Sequence, residues 1–282
     1  MKMFARNPNE YAVLSKKSVE LVGCGSVGSA VAEMLVRAGV GTLTLTDPEA
    51  LAPENLGRHL LTDRDLGRPK VEAMRERLCA INPACDIRTH ATEFERTAPA
   101  PSGSVFGGTI EPDRGSDAVL DSDVIVSCVD SYRCESLING RSLARSIPAV
   151  YIGCWGAASV GEILYVVPGK TGCYECFGSF REKAEIPADP RKYSDPDFDD
   201  TRVSGQPGLW ANILVTSGIG FQVILGLLGL RPQVIDHEHT LWLVNISDYD
   251  SALQPLAVTF AKVKRGCAVC DESLVSTLTL QS

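Results

Sequence analysis

Residues 18–39 read SVELVGCGSVGSAVAEMLVRAG, and this stretch decides the fold of the chain. Ser18–Val22 has the length and apolar character of a short buried strand, and Ser26–Ala38 has the pattern of a helix that ends at Gly39. A G-x-G-x-x-G motif joins the two, and its phosphate-facing positions are Gly23, Gly25, Ser26 and Gly28. Such glycines let backbone amides approach a phosphate at a helix N-terminus. NAD, FAD and ATP sites share the motif, and a glycine turn needed only for packing would look the same.

Outward from this motif, strands and helices continue to alternate. Helices are predicted at Pro69–Ile81 and Tyr132–Ser146. Strands are predicted at Thr42–Asp47, Asp86–Thr92, Val124–Val129, Ala149–Gly153, Glu162–Val167, Leu241–Ile246 and Ala257–Val263. The purely apolar run at 124–129 is typical of a central parallel strand covered on both faces. We therefore expect an α/β fold: a Rossmann-like, doubly wound, mainly parallel sheet with an antiparallel C-terminal extension.

The chain is predicted to form a single domain over residues 1–282. Its nucleotide half covers about 1–155, and its C-terminal half covers about 156–282. Two stretches lack periodicity. Thr97–Asp117 is rich in Pro, Gly and Ser and is predicted to be a surface insertion. The charged segment 178–207 is predicted to be a mobile crossover loop.

Bulk composition narrows the classes of function. A net charge of −8 argues against nucleic acid and against an anionic membrane as main partners. Leu209–Leu230 is the most apolar stretch, but polar residues and glycines interrupt it, so we expect a buried helix. The N-terminal residues contain no apolar run, and ten cysteines fit a reducing compartment, so we expect a cytoplasmic protein.

Two Cys-x-x-Cys pairs lie far apart in the sequence. The spacing lets two thiolates from one turn bind a single tetrahedral ion, and two pairs complete a closed structural zinc site. Two redox motifs, or four packed thiols, are the alternatives. The predicted zinc ligands are Cys173, Cys176, Cys267 and Cys270.

Charged residues after the second strand favour an enzyme that splits ATP. Asp47 ends that strand, where a carboxylate binds ribose hydroxyls. Arg58 and Lys70 could neutralise charge on the phosphates, which hydride transfer does not require. Asn55 could bind a phosphate or the ribose, and Asp130 could hold Mg²⁺ or position an attacking carboxylate. Each alone could equally be a surface polar residue; the ordered set is the signal.

This order of residues, together with the cysteine pairs, resembles the adenylyltransferase family of ubiquitin-activating enzymes and their bacterial relatives of the ThiF and MoeB type. The resemblance runs from Val19 to Cys270 and includes Asn82-Pro83 and Asn139. It implies ATP-dependent adenylation of the C-terminal glycine of a small ubiquitin-like protein, with release of pyrophosphate. In this family Asp47 would bind ribose, Asn55, Arg58 and Lys70 would bind phosphates, and Asp130 would be the acid associated with Mg²⁺.

The chain departs from the family pattern at three places. His59 replaces a common glutamine, and Arg6 is the one arginine available for an N-terminal arm. Ser204 stands where many members carry a catalytic cysteine. A serine ester suits onward transfer poorly, so we expect the reaction to stop at the acyl-adenylate, with an external thiol or sulfur acceptor.

Several alternatives remain open at this stage. The substrate could be a peptide or a tRNA-linked carboxylate, the chain could be a non-catalytic subunit of a heterodimer, or it could be an NAD-dependent oxidoreductase. It could also be one domain of a larger activating enzyme. We expect a dimer, because the late helix is apolar around nearly its whole circumference. One side can pack in the core of the subunit, and the other could be buried against a second subunit. The sequence does not name the ubiquitin-like substrate.

Overall fold

A computed structural model describes residues 4, 7–94, 122–155, 157–183, 208–246, 257–267 and 269–270. The predicted insertion at 97–117, Arg6 and Ser204 lie outside these residues. Five α-helices are described: α1 (Ser26–Ala38), α2 (Lys70–Ile81), α3 (Tyr132–Arg145), α4 (Tyr174–Lys183) and α5 (Trp210–Leu227). The strands are β1 (Ser18–Val22), β2 (Thr42–Thr46), β3 (Asp86–His90), β4 (Val124–Ser127), β5 (Ala149–Trp155), β6 (Val160–Val166), β7 (Leu241–Asn245) and β8 (Ala257–Ala261).

The strands form one eight-stranded sheet in the order β3-β2-β1-β4-β5-β6-β7-β8. The first five strands in this order pair in parallel, and the rest pair antiparallel. The chain order reverses between β1 and β4, and open α/β sheets bind ligands at the carboxyl ends of strands at such a point. The fold class predicted from the sequence is confirmed.

Helix α5 is the late apolar helix. By length and composition alone it could cross a membrane, with a mean hydropathy of 1.5, but it packs against α1, β5 and β6. The helix approaches its neighbours closely: a Cβ at Gly220 would lie 2.6 Å from Ile152 Cδ1 of β5. Toward its N-terminus apolar side chains stay in water, since Leu209 is 65 % and Leu214 is 36 % exposed.

A buried ion pair joins the sheet to α3. Arg141 Nη1 donates to Glu20 Oε1 of β1 at 2.8 Å, and both side chains are almost fully buried. The Arg141 guanidinium also lies 5.5 Å from the centre of the Phe94 ring. Burial raises the pKa of Glu20 above its usual value, and Arg141 opposes that shift. Removing either partner would leave an uncompensated buried charge, so this pair fixes the C-terminal half of α3 to the sheet.

The structure corrects two predictions about local structure. The crossover loop was placed at 178–207, but α4 continues through Lys183, so the first six of those residues are helical. A 3-10 segment at Asn9–Lys16, for which the sequence patterns made no prediction, buries Leu14 in the hydrophobic core. Elsewhere the predicted helices and strands exist, with ends that shift by at most two residues, except that the late helix expected over Leu209–Leu230 ends three residues earlier, at Leu227.

Candidate active site

The glycine loop packs so tightly that two of its glycines cannot be replaced. A Cβ at Gly28 would lie 1.8 Å from the carbonyl oxygen of Gly23. A Cβ at Gly23, whose φ is +89°, would lie 2.6 Å from the carbonyl oxygen of Cys128. Gly25 differs, because its Cβ would meet no heavy atom within 4 Å. Thus two glycines shape the loop, and the third faces open space at the start of α1.

The buried side chain of His59 also contacts this loop. Its Nε2 lies 2.7 Å from the carbonyl oxygen of Cys24, and its Nδ1 accepts a hydrogen bond from the Leu61 amide at 3.0 Å. The two contacts define a neutral tautomer that carries its proton on Nε2. Burial lowers the pKa of His59 to about 4, so the ring is neutral near physiological pH. The residue that stands in place of the family's common glutamine therefore supports the glycine loop in this structure.

Asp47 lies against the same loop at the end of β2. Its Oδ2 accepts from the Cys24 amide at 2.6 Å, and its Oδ1 accepts from the Glu49 amide at 2.8 Å. Burial raises the pKa of Asp47 despite these two hydrogen bonds. The carboxylate is therefore held rigidly at the carboxyl end of the strand, where an acidic side chain binds ribose hydroxyls in this fold.

Lys70 is the buried cation of the site. It is the first residue of α2 and is 3 % exposed, and its ammonium pairs with the exposed carboxylate of Glu49. Burial raises the pKa values of Asp47 and Cys24, and the positive charge of Lys70 opposes that rise. The same charge adds to the effect of burial in lowering the pKa of His59. An ammonium in this place can act as a point charge on a phosphate held by the loop.

Arg58, Asn55 and Asp130 complete the predicted set. Arg58 is half-buried and directly precedes His59, at the end of a 3-10 turn (Pro53–Arg58). Asn55 Oδ1 accepts from the Ala52 amide at 3.0 Å, which orients the side-chain nitrogen as a possible donor to a nucleotide. Asp130 is exposed, two residues after Cys128, whose carbonyl faces Gly23.

The donor set at this place fits a nucleotide phosphate. The first turn of α1 contains no acidic residue, and no side chain caps its N-terminus. Its orphan amides and the positive end of the helix dipole therefore favour an anion, and Gly25 leaves room for one. Asp47 and Lys70 flank this position, one suited to a sugar hydroxyl and the other to a phosphate.

The four predicted zinc ligands meet at one point. The Sγ atoms of Cys173 and Cys267 lie 3.5 Å apart, as do those of Cys176 and Cys270. The distances within the two pairs are 3.9 and 3.7 Å, and all four sulfurs lie within 4.8 Å of one another. Sulfurs at about 2.3 Å from a tetrahedral zinc ion are about 3.8 Å apart. The cluster could therefore hold zinc with little rearrangement, and a closed four-sulfur site is structural.

The surroundings of the cluster are built for a close approach of the C-terminal tail. A Cβ at Gly172 would lie 2.5 Å from the carbonyl oxygen of Val263. Arg265 Nε donates to the carbonyl oxygen of Cys270 at 3.0 Å, and its Nη1 donates to that of Gly169 at 3.1 Å. These contacts orient the second cysteine pair toward the first, as outer hydrogen bonds do at metal sites.

The other cysteines with a resolved shift are poor nucleophiles. Burial raises the pKa values of the Cys24, Cys85, Cys128 and Cys154 thiols. The thiolate is the reactive form, so these shifts disfavour covalent catalysis at neutral pH. Cys154, in β5, belongs to this group.

Fold and site together define a nucleotide-binding α/β protein of the Rossmann-like class, with a four-cysteine cluster that could bind zinc. Residues 3–267 match the sequence profile of the ThiF family. Because this match covers most of the chain, the protein belongs to the ThiF family.

Curated relatives include ubiquitin-like modifier-activating enzyme 5 from two invertebrates. The Caenorhabditis elegans protein is 34 % identical over 168 residues, which are 60 % of this chain and 39 % of that protein. The Culex quinquefasciatus protein is 35 % identical over 173 residues, 59 % of this chain and 41 % of that protein. The chain thus spans about two fifths of the length of these relatives.

Solved structures share the fold at low sequence identity. Escherichia coli MccB, solved with ATP, superposes with a TM-score of 0.65 at 19 % identity and covers 93 % of this chain and 69 % of that one. PaaA superposes with a TM-score of 0.60 at 18 % identity, over 90 % of this chain and 66 % of that one. These likenesses establish the architecture.

Proposed function

We propose that this chain adenylates the C-terminal glycine carboxylate of a small ubiquitin-like protein, using ATP and Mg²⁺ and releasing pyrophosphate. Membership of the ThiF family and the relation to ubiquitin-like modifier-activating enzymes support this reaction. The observation that carries it is the arrangement around the glycine loop, where Asp47 and buried Lys70 flank an open, amide-lined helix N-terminus. Negative charge builds on the departing pyrophosphate, which is where fixed cations lower the barrier.

Each residue of the site has a role in this proposal. Asp47 binds the ribose, Asn55 donates its amide to the nucleotide, and Lys70 neutralises the α-phosphate. Arg58 brackets the outer phosphates with its planar guanidinium. Asp130 holds Mg²⁺, which neutralises phosphate charge during the transfer. Together they leave the carboxylate of the acceptor free to attack the α-phosphate.

The finer parts of the proposal concern the assembly. We propose that the enzyme is cytoplasmic, binds one zinc ion at the four cysteines, and acts as a dimer or as one domain of a larger activating enzyme. The exposed apolar side chains of Leu209 and Leu214 support burial of α5 against a partner. The acyl-adenylate passes to an external thiol or sulfur acceptor, because the resolved pKa shifts at Cys24, Cys85, Cys128 and Cys154 disfavour an internal thioester.

The central experiment is ATP–pyrophosphate exchange with candidate glycine-ending proteins. Arg58→Ala and Asp130→Ala should each reduce exchange by about two orders of magnitude, the usual cost of one lost transition-state contact. Arg64→Ala is the matched control, because Arg64 is an exposed arginine in the next 3-10 turn, Asp63–Asp65. Wild-type binding of NAD without binding of ATP would refute the proposal and favour an oxidoreductase.

A non-reducing gel tests the fate of the adenylate. After incubation with ATP and a cognate protein, no reductant-sensitive adduct should form. An adduct abolished by one cysteine substitution alone would identify an internal nucleophile. Exchange that requires a short peptide in place of a folded protein would favour the peptide alternative. Activity that appears only after a second subunit is added would favour the non-catalytic role.

A further inference from the structure

The two residues between the first zinc cysteines, Tyr174 and Glu175, both contact α3. The Tyr174 amide donates to Asn139 Oδ1 at 3.1 Å, and the Tyr174 hydroxyl donates to the Glu135 carboxylate. Glu175 accepts from the Tyr132 hydroxyl at 2.7 Å and from Ser136 Oγ at 2.6 Å. We call these four hydrogen bonds the knuckle clamp.

The α3 side of the knuckle clamp is one face of a helix. Its members are Tyr132, Glu135, Ser136 and Asn139, at the i, i+3, i+4 and i+7 spacing that aligns side chains along a single stripe. The Tyr174 ring also packs on Tyr132 and on Tyr151 of β5, with centroid distances of 5.8 and 4.8 Å. The first two turns of α3 are therefore held by residues 173–176, which lead into the first turn of α4 and would hold the metal. We call these four residues the zinc loop.

The two halves of α3 are fixed by different parts of the protein. The C-terminal half is attached to β1 by the buried Arg141–Glu20 ion pair. The N-terminal half begins at Ser131, whose Oγ caps the helix by accepting from the Cys134 amide at 3.4 Å. Asp130 is the residue before this cap, so its position follows that of the first turn.

We infer that the zinc loop positions Asp130 through the knuckle clamp, so that Tyr174 and Glu175 are positioning residues for the Mg²⁺ site. The inference rests on the proposed zinc and Mg²⁺ sites. Zinc fixes Cys173 and Cys176, the residues between them fix the start of α3, and α3 fixes the carboxylate. Metal at the cysteines thereby sets the affinity for a second metal at the N-terminus of α3.

The test uses the Tyr174→Phe/Glu175→Ala double variant, which removes three of the four hydrogen bonds and keeps every cysteine. Glu238→Ala is the matched control, because Glu238 is an exposed carboxylate near the same tail that binds Lys262 at 2.6 Å and does not contact α3. Zinc content, ATP binding and amide hydrogen exchange are measured for each protein. The magnesium-free buffer contains no chelator, since a chelator would also remove zinc.

The double variant should retain one zinc per chain and bind ATP without Mg²⁺ as the wild type does. Its gain in ATP affinity on adding Mg²⁺ should fall by about ten-fold, the lower end of the cost of losing an outer partner at a metal site. Amides of residues 132–139 should exchange faster, while those of 140–145 stay protected by the Arg141 attachment. Cys267→Ser should likewise reduce the Mg²⁺-dependent gain in ATP affinity and speed the exchange of the amides of residues 132–139. Glu175→Gln keeps an acceptor oxygen, so it should lose less of the Mg²⁺-dependent gain than the double variant does.

The outcomes separate this inference from the proposed function. An unchanged Mg²⁺-dependent gain in the zinc-loaded double variant overturns the positioning role, even if ATP binds normally. Unchanged exchange of residues 132–139 in both the double variant and Cys267→Ser overturns the clamp itself. A wild-type protein that binds no ATP refutes the proposed function. In that case the amide hydrogen exchange of residues 132–139 alone decides whether the clamp holds α3.

Discussion

Replacing His59 with glutamine should change how the stability of the protein depends on pH. The imidazole is neutral in the folded state, because burial lowers its pKa to about 4 from its ordinary value of 6.5. Between these values the unfolded chain binds a proton that the folded protein does not. Stability from this residue is therefore fully present above the unfolded pKa and is lost as pH falls toward the folded pKa.

The magnitude follows from the two pKa values. One pH unit over which only the unfolded chain binds the proton costs about 1.4 kcal/mol of stability. From the unfolded pKa down to pH 5 this interval is about 1.5 pH units. Lowering the pH from about 7 to about 5 should therefore cost the wild type about 2 kcal/mol more than the glutamine variant. Glutamine can donate to Cys24 and accept from Leu61, but it does not titrate in this range.

The assay is urea unfolding followed by tryptophan fluorescence at several pH values for both proteins. Both proteins share the same carboxylates and cysteines, so the contributions of these groups to the pH dependence cancel when one curve is subtracted from the other. Dilute protein is required, because the sequence pI of 5.1 lowers solubility within the window. If the free energies of unfolding of wild type and variant change in parallel with pH, His59 is not a buried neutral histidine and the reasoning is refuted.

Three further predictions concern the loop, the cysteines and α5. Gly25→Ala should fold normally but bind ATP at least about ten-fold more weakly, because its Cβ enters the phosphate position. Gly28→Ala should instead lower the melting temperature, because its Cβ collides with the carbonyl oxygen of Gly23. Both are measured by calorimetry, and equal stability of the two variants would contradict the assignment. Cys267→Ser should lose zinc and lower the free energy of unfolding by at least about 2.7 kcal/mol in excess zinc, with full zinc retention as the contrary result. Leu214→Glu should shift the sedimentation of the protein toward that of a monomer. Leu66→Glu should not, because Leu66 is a similarly exposed leucine outside α5. A dimer that persists in both variants, or a monomeric wild type, would contradict the α5 interface.

The parts of the fold that could be predicted are those with local causes. β1, the glycine loop and α1 were predicted to the residue, because glycines punctuate the chain at both ends of the helix. The meeting of the four cysteines could be predicted, because the Cys-x-x-Cys spacing of each pair suits one tetrahedral ion. Asp47 and Lys70 were predicted from order along the chain, and both lie beside the loop.

The parts that were not predicted depend on contacts between distant residues. Helix α4 was partly assigned to a loop because its charged residues show no apolar stripe, and its first amide bonds to Asn139, 35 residues earlier. His59 is understood only through the carbonyl of Cys24, also 35 residues away. Polar side chains can satisfy many partners, so sequence order alone does not select one.

The wide separation of the two cysteine pairs has a consequence for biosynthesis. Cys173 and Cys267 are 94 residues apart, so a ribosome adding about 5–20 residues per second completes the second pair about 5 to 20 s after the first. During this interval β1–β5 are already available, whereas β6 lacks β7 and presents an open strand edge. In a cell short of zinc the four thiols stay without a metal after the chain is complete, and such chains are expected to be substrates for chaperones and proteases. With zinc bound at the cluster as proposed, the steady-state amount of this protein should follow the zinc supply of the cell that makes it.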